Sequence, residues 1–231
     1  MQPGSCHAAC WCKVTKAIDA REIQVAGEQP GDENPASTPR SKEILRHKMR
    51  EARYGMPVDE YQHLSDAIQL RVIKMPEFAV ARRACCYVHK ESTREPATDA
   101  ILRAIIADPG KELVVPITRV KEGRIDLSLV DDLSDLRPST FGVLEPAHEC
   151  IVDPSTVDLV IVPCLAVDTR GYRLGYGKAF YDKLLAAIAP TVPAIAVAFE
   201  FQIFPEIPIA PHDKPVSLIV TEKRTIRCDR S

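Results

Sequence analysis

Residues 157–168 read VDLVIVPCLAVD, and two residues later 171–185 read GYRLGYGKAFYDKLL. The first stretch is a nearly continuous apolar run, which fits a strand buried at the centre of a sheet. The second holds Gly171, Gly175 and Gly177, and passes into a helix to about Ile188 whose apolar side carries Phe180, Leu184, Leu185 and Ile188. In parallel α/β proteins, ligands settle at the carboxyl ends of strands. A helix N-terminus there offers unpaired N–H groups and the positive end of its dipole to an anion. Gly175 and Gly177 remove side chains that would keep a phosphate from the backbone, and Arg173 and Lys178 add positive charge. The alternative is a glycine turn with a structural role. The spacing fits neither common phosphate motif: Tyr172 stands where a Walker loop needs its first glycine, and Ala179 follows the lysine. Phe180 takes the last glycine position of a dinucleotide fingerprint.

Outward from this stretch, the pattern repeats strand, helix, strand. SKEILRHKMREARYG predicts a helix with Ser41 as N-cap, a narrow apolar side of Ile44, Leu45, Lys48 and Met49, and Gly55 past its end. VDEYQHLSDAIQLRVIKM predicts a second amphipathic helix closed by Pro76. RACCYV, KELVVPI, PAIAVAF and VSLIVTEK read as strands, with GRIDLSLVDDLSD as a further strand and an irregular excursion, and EPATDAILRAIIADPG as a helix. The alternation implies an α/β fold: a three-layer α/β/α arrangement with a mostly parallel central sheet.

The chain has 231 residues, 45% of them apolar and 27% charged, enough for one domain with a real core. A net charge of -2 gives no general pull toward nucleic acid or a membrane surface. No apolar run approaches the roughly 20 residues that span a bilayer. Residues 1–40, with GEQPGDENPASTPR, have the composition of a disordered lead-in, leaving 41–231 as the folded domain. The lead-in lacks the apolar core of a secretory signal, and its acidic residues argue against a transit peptide, so a cytoplasmic location is expected. Of the eight cysteines, Cys85, Cys86, Cys150 and Cys164 are expected as small buried hydrophobes. CHAACWC near the start has metal-ligating residue types, but its spacing is cramped and no second ligand pair follows.

DLVIVPCLAVDTRGYRLGYGKAFYDKLL resembles the signature of the 5-formyltetrahydrofolate cyclo-ligase family, in which a strand and P-G-L-[AG]-F-D precede G-x-R-L-G-x-G-x-G-Y-Y-D. The resemblance extends from Ser41 to Cys228 through Lys42 and Arg46, PEF at 76–78, FGVLEP at 141–146, AFEFQ at 198–202, PHD at 211–213 and TIRC. It implies ATP as cosubstrate, its phosphates held by Lys42 and Arg46 and by Arg173, Leu174, Gly175, Tyr176, Gly177, Lys178, Ala179, Phe180 and Tyr181. Arg173 and Lys178 are then the candidate catalytic cations. Lys42 and Arg46, four apart, share a helix face; without the resemblance that basic helix, with Lys48, Arg50 and Arg53, reads as a solvated surface. The resemblance also implies Mg2+ on Asp182 and Asp213, which suits an ion that uses one or two carboxylates plus phosphate oxygens. The folate is expected near Glu95, Thr98, Tyr176, Phe180 and Tyr181.

The chain departs from the family pattern around the organic substrate. Ala97 stands where an acid is usual, Ala179 and Cys164 replace glycines, and Phe180 replaces a tyrosine. A lost carboxylate removes a charge-assisted hydrogen bond of on the order of 1.5–3 kcal/mol, enough to change which pterin is preferred. The resemblance therefore implies ATP- and Mg-dependent closure of 5-formyltetrahydrofolate to 5,10-methenyltetrahydrofolate. The alternatives are a paralogue working on another formylated pterin or formamide, and a non-catalytic nucleotide-binding module. The expected partner is a small molecule, neither nucleic acid nor membrane, acted on by a monomer or small homo-oligomer.

Overall fold

The computed structural model describes residues 39–139 and 142–228. Its helices are α1 (Pro39–Tyr54), α2 (Val58–Ile73), α3 (Pro76–Val80), α4 (Asp99–Ala107) and α5 (Phe180–Ala187). The strands in the first half are β1 (Arg83–Cys86), β2 (Glu112–Arg119), β3 (Arg124–Val130), β4 (Leu136–Pro138), β5 (Leu144–Pro146) and β6 (Cys150–Val152). There follow β7 (Leu159–Val162), β8 (Ala166–Asp168), β9 (Arg173–Leu174), β10 (Ala194–Val197), β11 (Ile203–Phe204), β12 (Leu218–Val220) and β13 (Thr225–Arg227).

Five strands in the order β12–β10–β7–β1–β2 run parallel at the heart of the main sheet. Antiparallel strands close it: β13 on one side, β3 and then β6 on the other. Successive side chains point to opposite faces, as the pleat requires. Cys86, Val115, Leu159, Ile161, Ile195 and Val197 join one core cluster with Ile68 and Val72 of α2 and Ile101 and Ile105 of α4. Cys85, Val114, Val160, Val162 and Ala196 join the other, with Leu184 of α5 and Ile188 just beyond it. Helices thus cover both faces, giving the expected three layers. Each large apolar side chain removed from water this way contributes on the order of 1.5–3 kcal/mol.

The run 157–168 is not one strand. It stops at Val162, and Ala166–Asp168 pairs instead with β9 and β11 in a separate small sheet. Pro163 has no N–H for the ladder, so the chain leaves the sheet there. The turn from β8 to β9 closes on the fully buried Asp168, whose carboxylate accepts from the N–H groups of Arg170 and Tyr172. The small sheet is a platform: Leu165, Ala166, Leu174, Phe204 and Ile207 pack against Leu45 and Met49 of α1.

Other expectations shift. α1 begins at Pro39, so Ser41 is not its cap but a buried residue of its first turn. The inward stripe of α1 is Ser41, Leu45, Met49 and Arg53, one residue every four. Pro76 does not close α2 but opens α3, at a first-turn position where its missing N–H is not needed. Cys85, Cys86 and Cys164 are buried, whereas Cys150 is exposed on the edge strand β6. CHAACWC and the first 38 residues of the expected lead-in lie outside the described residues, while its last two, Pro39 and Arg40, belong to α1. Among the described residues, no helix is long and apolar enough to cross a membrane.

Candidate active site

β1, β7 and β10 are neighbours in the parallel sheet, and the loops leaving their carboxyl ends come together at one edge. The loop after β1 supplies Glu95, the segment after β7 supplies the glycine loop, and the segment after β10 supplies Asp213. Gln202 ties two of them: fully buried, it donates to the carbonyls of Cys164 and Leu165 and accepts from the N–H of Phe199. AFEFQ thus ends in the residue that joins the two segments.

The glycine loop leaves β9 at Gly175 and enters α5 at Phe180. Gly177 has φ +88°, a conformation that side chains rarely adopt, and a Cβ there would lie 3.3 Å from the Arg46 guanidinium. Gly175 has open space around it. Ala179, immediately before α5, also holds a left-handed backbone, with φ 53°. Lys178 is exposed at the mouth of the helix.

α1 lies across these loops; its cations bond the glycine loop and the Asp213 segment directly and reach the loop after β1 through Tyr176. Lys42 Nζ donates to Asp213 Oδ2 at 2.9 Å. One turn on, Arg46 Nε donates to the carbonyl of Gly175 at 2.9 Å, while its Nη1 meets Glu43. Arg53, three turns from Lys42, donates through Nη2 to Tyr176 Oη at 2.5 Å. Tyr176 Oη in turn donates to Glu95 Oε1 at 3.0 Å, and Glu95 Oε2 accepts from the N–H of Lys90. Burial and then Glu95 push the Tyr176 hydroxyl above the usual tyrosine range, with Arg53 opposing.

The two acidic candidates arrive already neutralised. Asp182 Oδ1 accepts from Arg173 Nη2 at 3.2 Å and from the N–H of Lys214 at 3.1 Å. Asp213 Oδ2 accepts from Lys42 and from the N–H of Ala210, with His212 Nε2 3.6 Å from its Oδ1. The Lys214 bond places Asp182 beside the backbone next to Asp213. Each carboxylate therefore keeps one oxygen outside these bonds. Among the described residues, no group of three or more His, Cys, Asp or Glu gathers into a closed cage. Two partly used carboxylates suit Mg2+, which keeps waters and phosphate oxygens among its ligands.

Several expected residues take other places. Arg173 is not a free cation: its side chain is 4% exposed, and it ties Asp182 to the carbonyl of Lys214 from beneath. Burial lowers its pKa, with Asp182 opposing. Leu174 is core, so only its backbone borders the loop. Phe180 and Tyr181 turn inward against the core clusters, and burial pushes the Tyr181 hydroxyl well above its ordinary value. Thr98 is fully buried, with its hydroxyl on the Tyr87 carbonyl, and so shapes the loop instead of facing the opening. Sequence reading missed Arg53, although a charge on the buried stripe of α1 was the available signal. Two open clefts, of about 660 and 420 Å³, lie elsewhere, between α2, α3 and β13 and between β3, β6 and α5. Charge and loop convergence mark this corner instead.

Fold and site define an α/β protein that gathers cations and a glycine loop at the carboxyl edge of a parallel sheet, an arrangement suited to phosphate. A family model described as the 5-formyltetrahydrofolate cyclo-ligase family matches residues 38–222, and the chain belongs to that family. A 5-formyltetrahydrofolate cyclo-ligase of Mycolicibacterium smegmatis is 32% identical over 198 residues, covering 82% of this chain and 97% of its own. The mitochondrial enzyme of the same name from Arabidopsis thaliana is 26% identical over 205 residues, 79% of this chain and 74% of its own. The solved 5,10-methenyltetrahydrofolate synthetase of Aquifex aeolicus superposes with a TM-score of 0.72 at 31% identity, over 82% of this chain and 94% of that one.

Proposed function

We propose that this protein converts 5-formyltetrahydrofolate and ATP to 5,10-methenyltetrahydrofolate, ADP and phosphate, with Mg2+ on the nucleotide. Family membership supports the reaction class, and one observation carries the assignment to this corner: α1 meets the glycine loop through Arg46 on Gly175, one turn from Lys42 on Asp213.

The chemistry asks for positioning more than for a nucleophile from the protein. A formamide oxygen is a poor leaving group. Once the γ-phosphoryl is transferred to it, N10 attacks the activated carbon, the ring closes and phosphate departs. Holding the formyl oxygen in line with the phosphorus is worth roughly 7–11 kcal/mol. Loop amides of 175–178 and the charges of Lys42, Arg46 and Lys178 offset the phosphate charge, as in phosphoryl transfer generally. Arg46 is free to do so because its partner Glu43 is exposed and readily exchanged for phosphate. Asp182 and Asp213 would hold Mg2+, which neutralises and orients the phosphate oxygens when bound. Glu95 and Tyr176 present acceptor oxygens to the pteridine.

The test is direct: purified protein, Mg2+, ATP and 5-formyltetrahydrofolate are mixed, and the near-ultraviolet band of the conjugated methenyl bridge is followed. ATP-dependent growth of that band is expected. Its absence, with ADP not formed, would overturn the proposal. One observation favours a second reading, in which another formylated pterin is preferred: Ala97 places a methyl against the core where the family usually carries an acid. Comparing kcat/KM across formyl-pterins separates the two.

A further inference from the structure

Arg53 is fully buried, yet its Nε and Nη1 have no hydrogen-bond partner. Its bond to the Tyr176 hydroxyl is made by Nη2, and the guanidinium lies 5.9 Å from the centre of that ring. A buried cation with donors unmatched weakens a fold, and an apolar side chain of similar volume packs there more favourably. Stability therefore does not account for the arginine. Its partner suggests what does. Tyr176 is 45% exposed and sits between Gly175 and Gly177, so neither neighbour's side chain holds it in place. Its hydroxyl supplies the anchor. Arginine has no acceptor atom, so the Tyr176 oxygen must accept from it, which commits the phenol proton to Glu95. Glu95 Oε2 meanwhile accepts from the Lys90 N–H, leaving the carboxylate fixed from two sides.

We propose that Arg53 is a positioning residue for the pterin end of the substrate. It acts through Tyr176 and sets the Tyr176–Glu95 pair as one hydrogen-bonding edge that accepts the N–H groups of a 2-amino-4-oxo heterocycle. Arg46, two turns earlier on α1, holds the Gly175 carbonyl, so a single helix fixes both the backbone and the side chain of this segment. This inference rests on the proposed function for the identity of the ligand.

Three variants test it: Arg53→Met, Tyr176→Phe and the double substitution. The dissociation constant of 5-formyltetrahydrofolate is measured by titration calorimetry, alongside that of Mg-ATP and the melting temperature. Arg53→Met is expected to weaken folate binding about tenfold and change Mg-ATP binding less than twofold, and to melt no lower than wild type. The double variant is expected to be no worse than the weaker-binding single variant, since both remove the same bond. Folate binding within twofold of wild type in Arg53→Met, or losses that multiply in the double variant, would overturn the proposal. Should Arg53→Met fail to fold, Arg53→Lys, which keeps the charge and loses the planar fork, takes its place under the same criteria. Wild-type protein that binds the folate but forms no methenyl product would overturn the parent reading alone. No folate binding at all would overturn both.

Discussion

Ala179 holds φ 53° at the entrance to α5, where the family pattern has glycine. The left-handed region costs an alanine about 1–2 kcal/mol. Ala179→Gly relieves this but adds about 0.4–1 kcal/mol of unfolded-state entropy, leaving an expected net gain of about 0.5 kcal/mol. Urea denaturation measures it, and a loss above 1 kcal/mol would show that the backbone there is unstrained. Beside it, Lys178 is exposed, so Lys178→Ala should leave the melting temperature unchanged while lowering kcat at least 100-fold, of the order found when a transition-state donor is lost. Turnover within a few-fold of wild type would remove Lys178 from the mechanism. At this scale the sequence was half legible. Gly177 was legible as a turn glycine, because such glycines leave local traces, whereas Asp213 was pointed to only by the PHD motif of the family resemblance. The burial of Arg173 and Arg53 did not, because it depends on which side of a short strand or helix faces the core.

Among elements, α1 links the three loops, and its spacing shows how. Lys42, Arg46 and Arg53 recur at near-integral turns of 3.6 residues, so they lie along one side of the rod. Arg46→Met should therefore raise the KM for ATP about tenfold or more and cost stability no more than about 1 kcal/mol, because its bonds to Glu43 and to the Gly175 carbonyl are both exposed. Steady-state kinetics and thermal melts check both halves; an unchanged KM for ATP would detach α1 from the nucleotide. The long strands were readable, since apolar runs bounded by turns recur wherever a parallel strand is covered on both faces. The two- and three-residue strands β8, β9, β11 and β13 were not, because too few residues alternate to show a period. The break at Pro163 was hidden by the apolar residues on both sides of it. Those residues are buried in two different sheets.

The whole molecule shows its packing in its alkaline response. Burial raises the Tyr61 hydroxyl to about 12 and those of Tyr87 and Tyr181 well above their ordinary value. The folded state thus keeps protons that the unfolded chain releases near pH 10. This contribution is complete below pH 10 and is lost as the pH rises through about 12, on the order of 2–3 kcal/mol from Tyr61. The urea midpoint should be steady through pH 8–9 with respect to these groups and fall steeply between pH 10 and 12; a midpoint that holds through pH 12 would mean the rings are solvated. A crystal grown with Mg2+ and a non-hydrolysable ATP analogue shows what binds at the edge where α1 crosses the parallel sheet. The terminal phosphate is expected on the backbone of residues 175–178, within reach of Lys42, Arg46 and Lys178, with the metal on Asp182 or Asp213. A nucleotide bound in another cleft, with that loop and helix untouched, would contradict it.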